Sequence, residues 1–330
     1  MGLSQTSIAE WFSDIVSLRV AVVGCGRWGA HHLAALVRLQ DQLNIEHIVA
    51  CDNDQNVAQS LRLSGFCVHE NVESLVDEHQ IDAVIVATPN NTHYALGKMF
   101  LEQGVHALVE KPLSVNHDLA SSLVSISVEK GKILKTGFLL RFHPCVQDLH
   151  SRIRSGQLGA IERIEYKRLS TREGDSESNC LDSLAIHGVD LATLLLSEQS
   201  PMAISSVRGN ERYANLTLEF PYQVEVEIEV GWARKQDIGE FRIYGSNGIA
   251  VVYLNQHDSY TIIRDDEHMH EVVESKQSPL DGQLKDFLTV ESKNTFAAST
   301  GSILRTIDCI EQARQKLPSR GVNAARELKR

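Results

Sequence analysis

Continuous apolar runs alternate with segments of helical period over the first part of the chain. Residues 18–23, 46–51, 66–68, 82–88, 107–110 and 133–140 are strand-like, and most of them are apolar without interruption. Between them, 31–39, 57–63, 72–77, 92–103 and 119–130 carry apolar residues at helical spacing. Strands that are apolar on both faces and are separated by helices predict a parallel sheet covered on both sides. The expected class is α/β, with a doubly wound N-terminal domain and right-handed crossovers.

After about His143 the pattern changes. Residues 145–154 read as a helix, and then runs of period two take over. The clearest is 224–230, where valine or isoleucine alternates with Glu225, Glu227 and Glu229. That alternation marks a strand with one buried and one wet face, as in an antiparallel sheet. Residues 161–169, 213–220, 240–244, 249–253 and 260–263 continue the set, with Asn247-Gly248 as a hairpin signal. Helices are expected at 182–196, 281–292 and 300–317. The predicted organisation is an N-terminal extension at 1–17, a doubly wound domain at 18–142 and an α+β domain at 143–330 with an open, mostly antiparallel sheet. Ile8, Trp11, Phe12, Ile15 and Val16 give the extension a short helix.

A length of 330 residues suits two domains. Lys and Arg total 32 against 43 Asp and Glu, a formal charge of −11, which argues against nucleic acid as a partner. No apolar run reaches the roughly 18–20 residues of a membrane span, and none is expected. Cys25, Cys51, Cys67, Cys145, Cys180 and Cys309 form no C-x-x-C pair and no zinc-like spacing, so reduced, cytoplasmic use without a bound metal is expected. His268-Met269-His270 lies in an acidic, exposed-looking stretch with no further ligands in order and reads as a solvated edge.

The chemistry starts at Gly24-Cys25-Gly26-Arg27-Trp28-Gly29. This G-x-G-x-x-G follows a strand and opens a helix, the context that a dinucleotide site needs. Gly24 permits the tight turn, Gly26 lets a pyrophosphate approach the backbone, and Gly29 lets the helix pack on the strand. The helix N-terminus adds free N–H groups and a positive dipole end. Asp52, 23 residues after Gly29, is placed to accept hydrogen bonds from adenosine ribose hydroxyls. A carboxylate there repels a 2′-phosphate, so NAD is favoured; Arg27, inside the turn beside Trp28, keeps NADP open.

Thr88-Pro89-Asn90-Asn91-Thr92-His93 and Glu110-Lys111-Pro112 end two further strands. Ligands bind outside the carboxyl ends of strands in such sheets, so both segments are expected to face the cofactor. Lys111 follows a buried run, and desolvation suits a lysine to proton transfer or to polarising a substrate oxygen. Arg141 and Arg172 are candidates for a substrate carboxylate or phosphate, because the guanidinium fork binds such groups bidentately; plain packing or surface arginines remain the alternative.

Taken together, GCGRWG, Asp52, ATPNNTH, EKP and GFLLRFHP at 137–144 resemble the glucose–fructose oxidoreductase / inositol dehydrogenase / rhizopine-catabolism (Gfo/Idh/MocA) family, from about residue 18 to 317. The resemblance implies a Rossmann domain followed by an α/β domain whose open sheet makes a homodimer or homotetramer. It implies hydride transfer between a nicotinamide cofactor and a secondary hydroxyl or ketone of a sugar-like polyol, sugar acid or nucleotide sugar. It implies that Lys111 is the catalytic lysine, that Pro112 follows a cis bond, that Glu110 lies near the nicotinamide ribose, and that Asn90 and His93 line the cofactor's path. It further implies that His187 accepts the substrate proton and that Asp190, one turn on, orients it or contacts substrate. The family's D-x-x-x-H aspartate aligns with Ser183, and Asp182 is one place off, which turns its carboxylate by about 100° on a helix. Either a local bulge restores it or the substrate is handled without that acid. The alternative function is an NAD(P)-binding regulatory or sensor protein without catalysis.

Overall fold

The computed structural model describes residues 17–78, 80–174, 179–265, 267–275, 277–289 and 296–317. The helix expected within 1–16, residues 175–178 of the polar loop and the tail 318–330 lie outside the described residues. The chain divides into two units, 1–142 with 277–298 and 143–276 with 299–330. The second domain expected at 143–330 is therefore interrupted: a late segment returns to the first unit. The reason is burial, since Leu284, Phe287 and Leu288 join Val20, Leu33, Leu36 and Ile85 in one core.

In the first unit the elements run β1 (Leu18–Val23), α1 (Arg27–Leu39), β2 (Ile45–Cys51), α2 (Gln55–Leu63), β3 (Cys67–His69), α3 (Val72–Glu78), β4 (Ala83–Val86), α4 (His93–Glu102), β5 (His106–Val109), α5 (His117–Glu129) and β6 (Leu134–Thr136). The sheet order is β3-β2-β1-β4-β5-β6, and every pairing is parallel. The order reverses between β1 and β4, which is where doubly wound sheets bind ligands. Val22, Val84, Ile85, Val86, Leu108 and Val109 are wholly buried, as apolar runs without alternation require. Each such side chain contributes about 1.5–3 kcal/mol.

The second unit holds α6 (Pro144–Arg154), β7 (Ile161–Leu169), α7 (Ile186–Leu195), β8 (Ala203–Asn210), β9 (Tyr213–Phe220), β10 (Val224–Gly231), β11 (Ile238–Gly245), β12 (Gly248–Tyr253), β13 (Ser259–Arg264) and β14 (Glu267–Val272). The chain then passes through α8 (Pro279–Leu288) of the first unit and returns as α9 (Thr300–Lys316). Eight strands form one sheet in the order β14-β13-β12-β11-β7-β10-β9-β8, with β7 and β10 its one parallel pair among the described residues. In β10, Val224, Val226, Ile228 and Val230 are buried, and Glu229 on the other face pairs with Lys167 of β7 at 2.6 Å. The β11–β12 hairpin closes at Gly245 and Gly248, so the loop is Ser246-Asn247, one place earlier than the Asn-Gly signal suggests.

Burial pushes the thiols of Cys51 and Cys145 up to about 11 and those of Cys25, Cys180 and Cys309 up to about 12, so they pack as small hydrophobes. No described helix is long and apolar enough to cross a membrane.

Candidate functional site

The ends of β1, β4 and β5 lie side by side in the first unit. β1 runs into Gly24, whose φ of +82° suits glycine. A Cβ there would lie 2.6 Å from Thr88 Cγ2 and 2.7 Å from the Thr88 amide, so the turn packs directly on the segment after β4. Gly26 precedes α1 with no side chain capping the helix, and a Cβ built on it meets nothing within 4 Å. Gly29 is the reverse case: its Cβ would lie 1.9 Å from Gly24 O, so only glycine lets the helix approach the turn. This helix end has no side-chain cap and open space over Gly26, an arrangement suited to an anionic group such as a pyrophosphate.

Asp52 follows β2 and turns back on this loop. Its Oδ2 accepts the Cys25 amide at 2.6 Å, and its Oδ1 accepts the Asp54 amide at 2.9 Å. Arg27 is exposed, with its guanidinium 5.3 Å above the Trp28 ring, and Trp28 sets its edge against His31 at 5.6 Å. The segment after β4 is a 3-10 turn at Asn90–Thr92, with Pro89 exposed and Asn90 half-buried; the Thr92 hydroxyl lies 2.6 Å from Thr88 Oγ1 and 2.8 Å from Pro89 O.

His93 does not line an open path. It is 1% exposed, with Nδ1 2.7 Å from Pro112 O and Nε2 2.9 Å from Thr88 O. It ties the segment after β4 to the one after β5. Burial pushes the ring below the ordinary histidine value, against the two carbonyls, which favour the charged form.

Glu110 points inward. It is buried, and His32 of α1, also buried, brings Nε2 to 2.8 Å from its Oε1. Oε2 accepts the Lys111 amide at 3.2 Å. Burial alone would raise this carboxyl; the hydrogen bond and charge of His32, together with Lys111, bring it below the ordinary value. Lys111 is half-buried at the end of β5, and the Lys111–Pro112 peptide is cis.

In the second unit His187 is the second residue of α7. One π-turn, Leu181–Ala185, precedes that helix and inserts the local bulge that the sequence left open. The bulge does not bring Asp182 out: it is buried, with Oδ1 3.4 Å from Arg314 Nε on α9. Between Leu181 and Asp190, only Ser183 and His187 are half-exposed. Asp190 is buried in α7. A Cβ on Gly188 would lie 2.7 Å from the Tyr166 ring, so this helix is seated tightly on β7.

The two arginines differ. Arg141 is wholly buried, in the 3-10 turn Leu139–Phe142, and lines a small cavity with Lys135, Thr136, Gln283 and Asp286; it is internal to the first unit instead of open to a substrate. Arg172 is exposed after β7, its carbonyl accepting the Ala233 amide at 2.8 Å. Sequence reasoning missed the roles of His32 and Arg314. For His32 a signal existed: it shares the inward face of α1 with Leu33, Leu36 and Leu39.

Residues 18–138 match the model of an oxidoreductase family with an NAD-binding Rossmann fold, and residues 146–251 match the GFO/IDH/MocA C-terminal domain. The chain is 30% identical over 194 residues to UDP-N-acetylglucosamine 3-dehydrogenase of Acidithiobacillus ferrooxidans, a match that spans 58% of this chain and 58% of that relative. It is 23% identical over 226 residues to inositol 2-dehydrogenase 2 of Saccharopolyspora erythraea, spanning 65% of this chain and 67% of the relative. Among solved structures, a 3-ketoreductase from Actinomadura kijaniata in complex with NADP and TDP-benzene superposes with a TM-score of 0.79 at 18% identity, covering 92% of this chain and 98% of that one. That likeness extends the shared fold over nearly the whole molecule. With successive models matched along most of its length, the chain belongs to the GFO/IDH/MocA oxidoreductase family.

Proposed function

We propose that this protein is a nicotinamide-dependent dehydrogenase that moves a hydride between NAD and a secondary hydroxyl or ketone of a sugar-like substrate, such as a polyol, a sugar acid or a nucleotide sugar. The observation that carries this reading is the packing of the Gly24 turn on Thr88, beside the strand end that holds Lys111. The open backbone over Gly26 fits the cofactor's pyrophosphate, and Asp52 fits its adenosine ribose. The carboxylate of Asp52 favours NAD, while exposed Arg27 leaves room for NADP. When bound, the nicotinamide supplies the hydride acceptor or donor. On this reading Lys111 hydrogen-bonds the reacting oxygen, and His187 accepts the hydroxyl proton. Arg172 is a candidate contact for an anionic substrate. The names of the two curated relatives favour cyclic polyols and nucleotide sugars as the first compounds to try.

The test has two steps. NADH and NADPH are titrated by fluorescence, and then reduction of NAD is followed over a panel of inositols, sugar acids and UDP-sugars. Turnover that disappears in Lys111→Ala supports the reading. Full turnover in that variant removes Lys111 from the chemistry.

One observation favours a second reading. Asp182 faces Arg314, leaving Ser183 as the half-exposed neighbour of His187. A protein that binds NADH tightly and turns over nothing in the panel is an NAD(P)-binding regulator. A homodimer or homotetramer through the eight-stranded sheet is part of the proposal, resting on the family resemblance; sedimentation tests it. A reduced cytoplasmic setting is also proposed, supported by the deep burial of five cysteines.

A further inference from the structure

We infer that Asp54 is a specificity-determining residue for the cofactor, excluding the 2′-phosphate of NADP by its charge and by occupying amides at the start of α2. The inference rests on the reading of Asp52 as the adenosine-ribose residue and names a second carboxylate that acts beyond it. The two acids are linked in series. Asp52 Oδ2 accepts the Cys25 amide at 2.6 Å, and Asp52 Oδ1 accepts the Asp54 amide at 2.9 Å. A carboxylate has about four acceptor sites, so each oxygen of Asp52 keeps a lone pair for a ribose hydroxyl. Asp54 is engaged differently. It is the N-cap of α2, and its Oδ1 accepts the Asn56 amide at 2.8 Å and the Val57 amide at 3.2 Å. The amides and the positive dipole end at the start of a helix are what would hold a phosphate. At α2, two of those amides are already bound to a carboxylate of the chain itself.

NADP differs from NAD by one phosphate, on the 2′-oxygen of the adenosine ribose. A sheet of this kind accommodates that phosphate when a cation stands near the acid that reads the ribose. The loop from Asp52 into α2 supplies none, since no Lys or Arg occurs from Asp52 to Leu61. Arg62, the next cation along α2, is paired with Glu70 at 2.9 Å and donates to Val68 O at 3.2 Å. From β3, the His69 carbonyl accepts the Asp52 amide at 3.0 Å, and the His69 ring is buried. Arg27, the one cation of the glycine turn, lies over Trp28. The Asp54 amide, a further donor, is taken by Asp52. Asp54 thus puts a second negative charge beside the first and removes the donors that would offset it. NAD carries no 2′-phosphate, so Asp54 acts against NADP alone.

Fluorescence titration of the intact chain with NADH and NADPH tests this through the ratio of the two affinities. Wild type is expected to bind NADH about tenfold tighter than NADPH or more. Asp54→Asn removes the charge and keeps the cap, since asparagine caps a helix as well as aspartate does. It should tighten NADPH by about tenfold and move NADH by less than about twofold. Asp54→Ala also frees the Asn56 and Val57 amides, so its gain for NADPH should be at least as large. If Asp54→Ala does not fold, Asp54→Asn decides. A residue that served only as a cap would leave both affinities unchanged in Asp54→Asn. NADPH affinity within about twofold of wild type in folded Asp54→Asn overturns the inference, as does a wild-type protein that binds NADPH as tightly as NADH. Either result leaves the dehydrogenase reading standing, because that reading fails separately, by absence of NADH binding or of turnover.

Discussion

Asp52 Oδ2 accepts the Cys25 backbone amide at 2.6 Å, tying the end of β2 to the glycine turn at the end of β1. One carboxylate thus shapes the turn, and on the proposed reading it also binds the adenosine ribose. Hydrogen bonds to a charged group are worth about 1.5–3 kcal/mol, so neither role is a small one. Asp52→Ala is expected to weaken NADH binding by about tenfold or more. Asp52→Asn keeps an acceptor for Cys25 but loses the charge, so it should weaken NADH less while narrowing the discrimination against NADPH. Fluorescence titration with both cofactors checks this. Unchanged NADH affinity in Asp52→Ala would place the adenosine end elsewhere.

The glycines of the turn should separate binding from folding. Gly26 has open space where a side chain would stand, so Gly26→Ala should leave thermal stability within about 0.5 kcal/mol of wild type. Its methyl group would occupy the space over the helix end, and NADH affinity should fall more than about tenfold. Gly29→Ala places a Cβ 1.9 Å from a backbone oxygen that has no flexible end to move. It should destabilise the first unit by about 1–3 kcal/mol or more. Calorimetry paired with NADH titration distinguishes the two. Equal loss of stability in both variants would contradict the geometry.

The parallel strands were legible because burial on both faces leaves an unbroken apolar run, as at Val84, Ile85 and Val86. The strands missed are β8 and β14, the two edges of the second sheet. In β8 no residue is buried, and β14 is mostly exposed, so neither has an apolar stripe to read. α8 was legible as a helix but not as a part of the first unit, because its apolar face does not say which core it enters. At the site, the glycine turn, Asp52 and Lys111 were visible as local motifs. The inward turn of Glu110 was not, because it depends on a histidine 78 residues earlier in the chain. His93 was read as a cofactor residue from its place in the Thr88–His93 segment; two carbonyls brought together by the fold engage both of its ring nitrogens. The π-turn before His187 could be raised only as a question, since a one-residue insertion leaves no pattern of its own.

Arg314 is expected to be the support of the helix that carries His187. It lies 3.4 Å from buried Asp182, within the π-turn. Arg314→Ala leaves that carboxylate without this partner, and a cost of about 2–4 kcal/mol is expected in urea unfolding. Adding Asp182→Asn to Arg314→Ala removes the charge and should recover more than half of the loss. If the double variant is as unstable as the single one, the contribution of Arg314 is packing and not charge.

His143 gives the second unit a stability that declines in acid. The ring is wholly buried and packs edge-on against His257 at 4.9 Å. Burial first, and the charge of His257 next, push it down from 6.5 to about 4. The folded state therefore refuses a proton that the unfolded chain accepts once the pH falls below about 6.5. Above that value the group has no effect on stability. As the pH falls from 6.5 toward 4, stability is lost, and the loss at pH 4.5 should approach about 2–3 kcal/mol. Carboxylates elsewhere add their own acid dependence, so the measurement is a difference. Urea midpoints are compared at pH 7 and pH 4.5 for wild type and for His143→Gln. The variant should be less stable at pH 7, through imperfect packing, yet lose less stability between the two pH values. An equal loss in both proteins would show that His143 takes up its proton without leaving the fold.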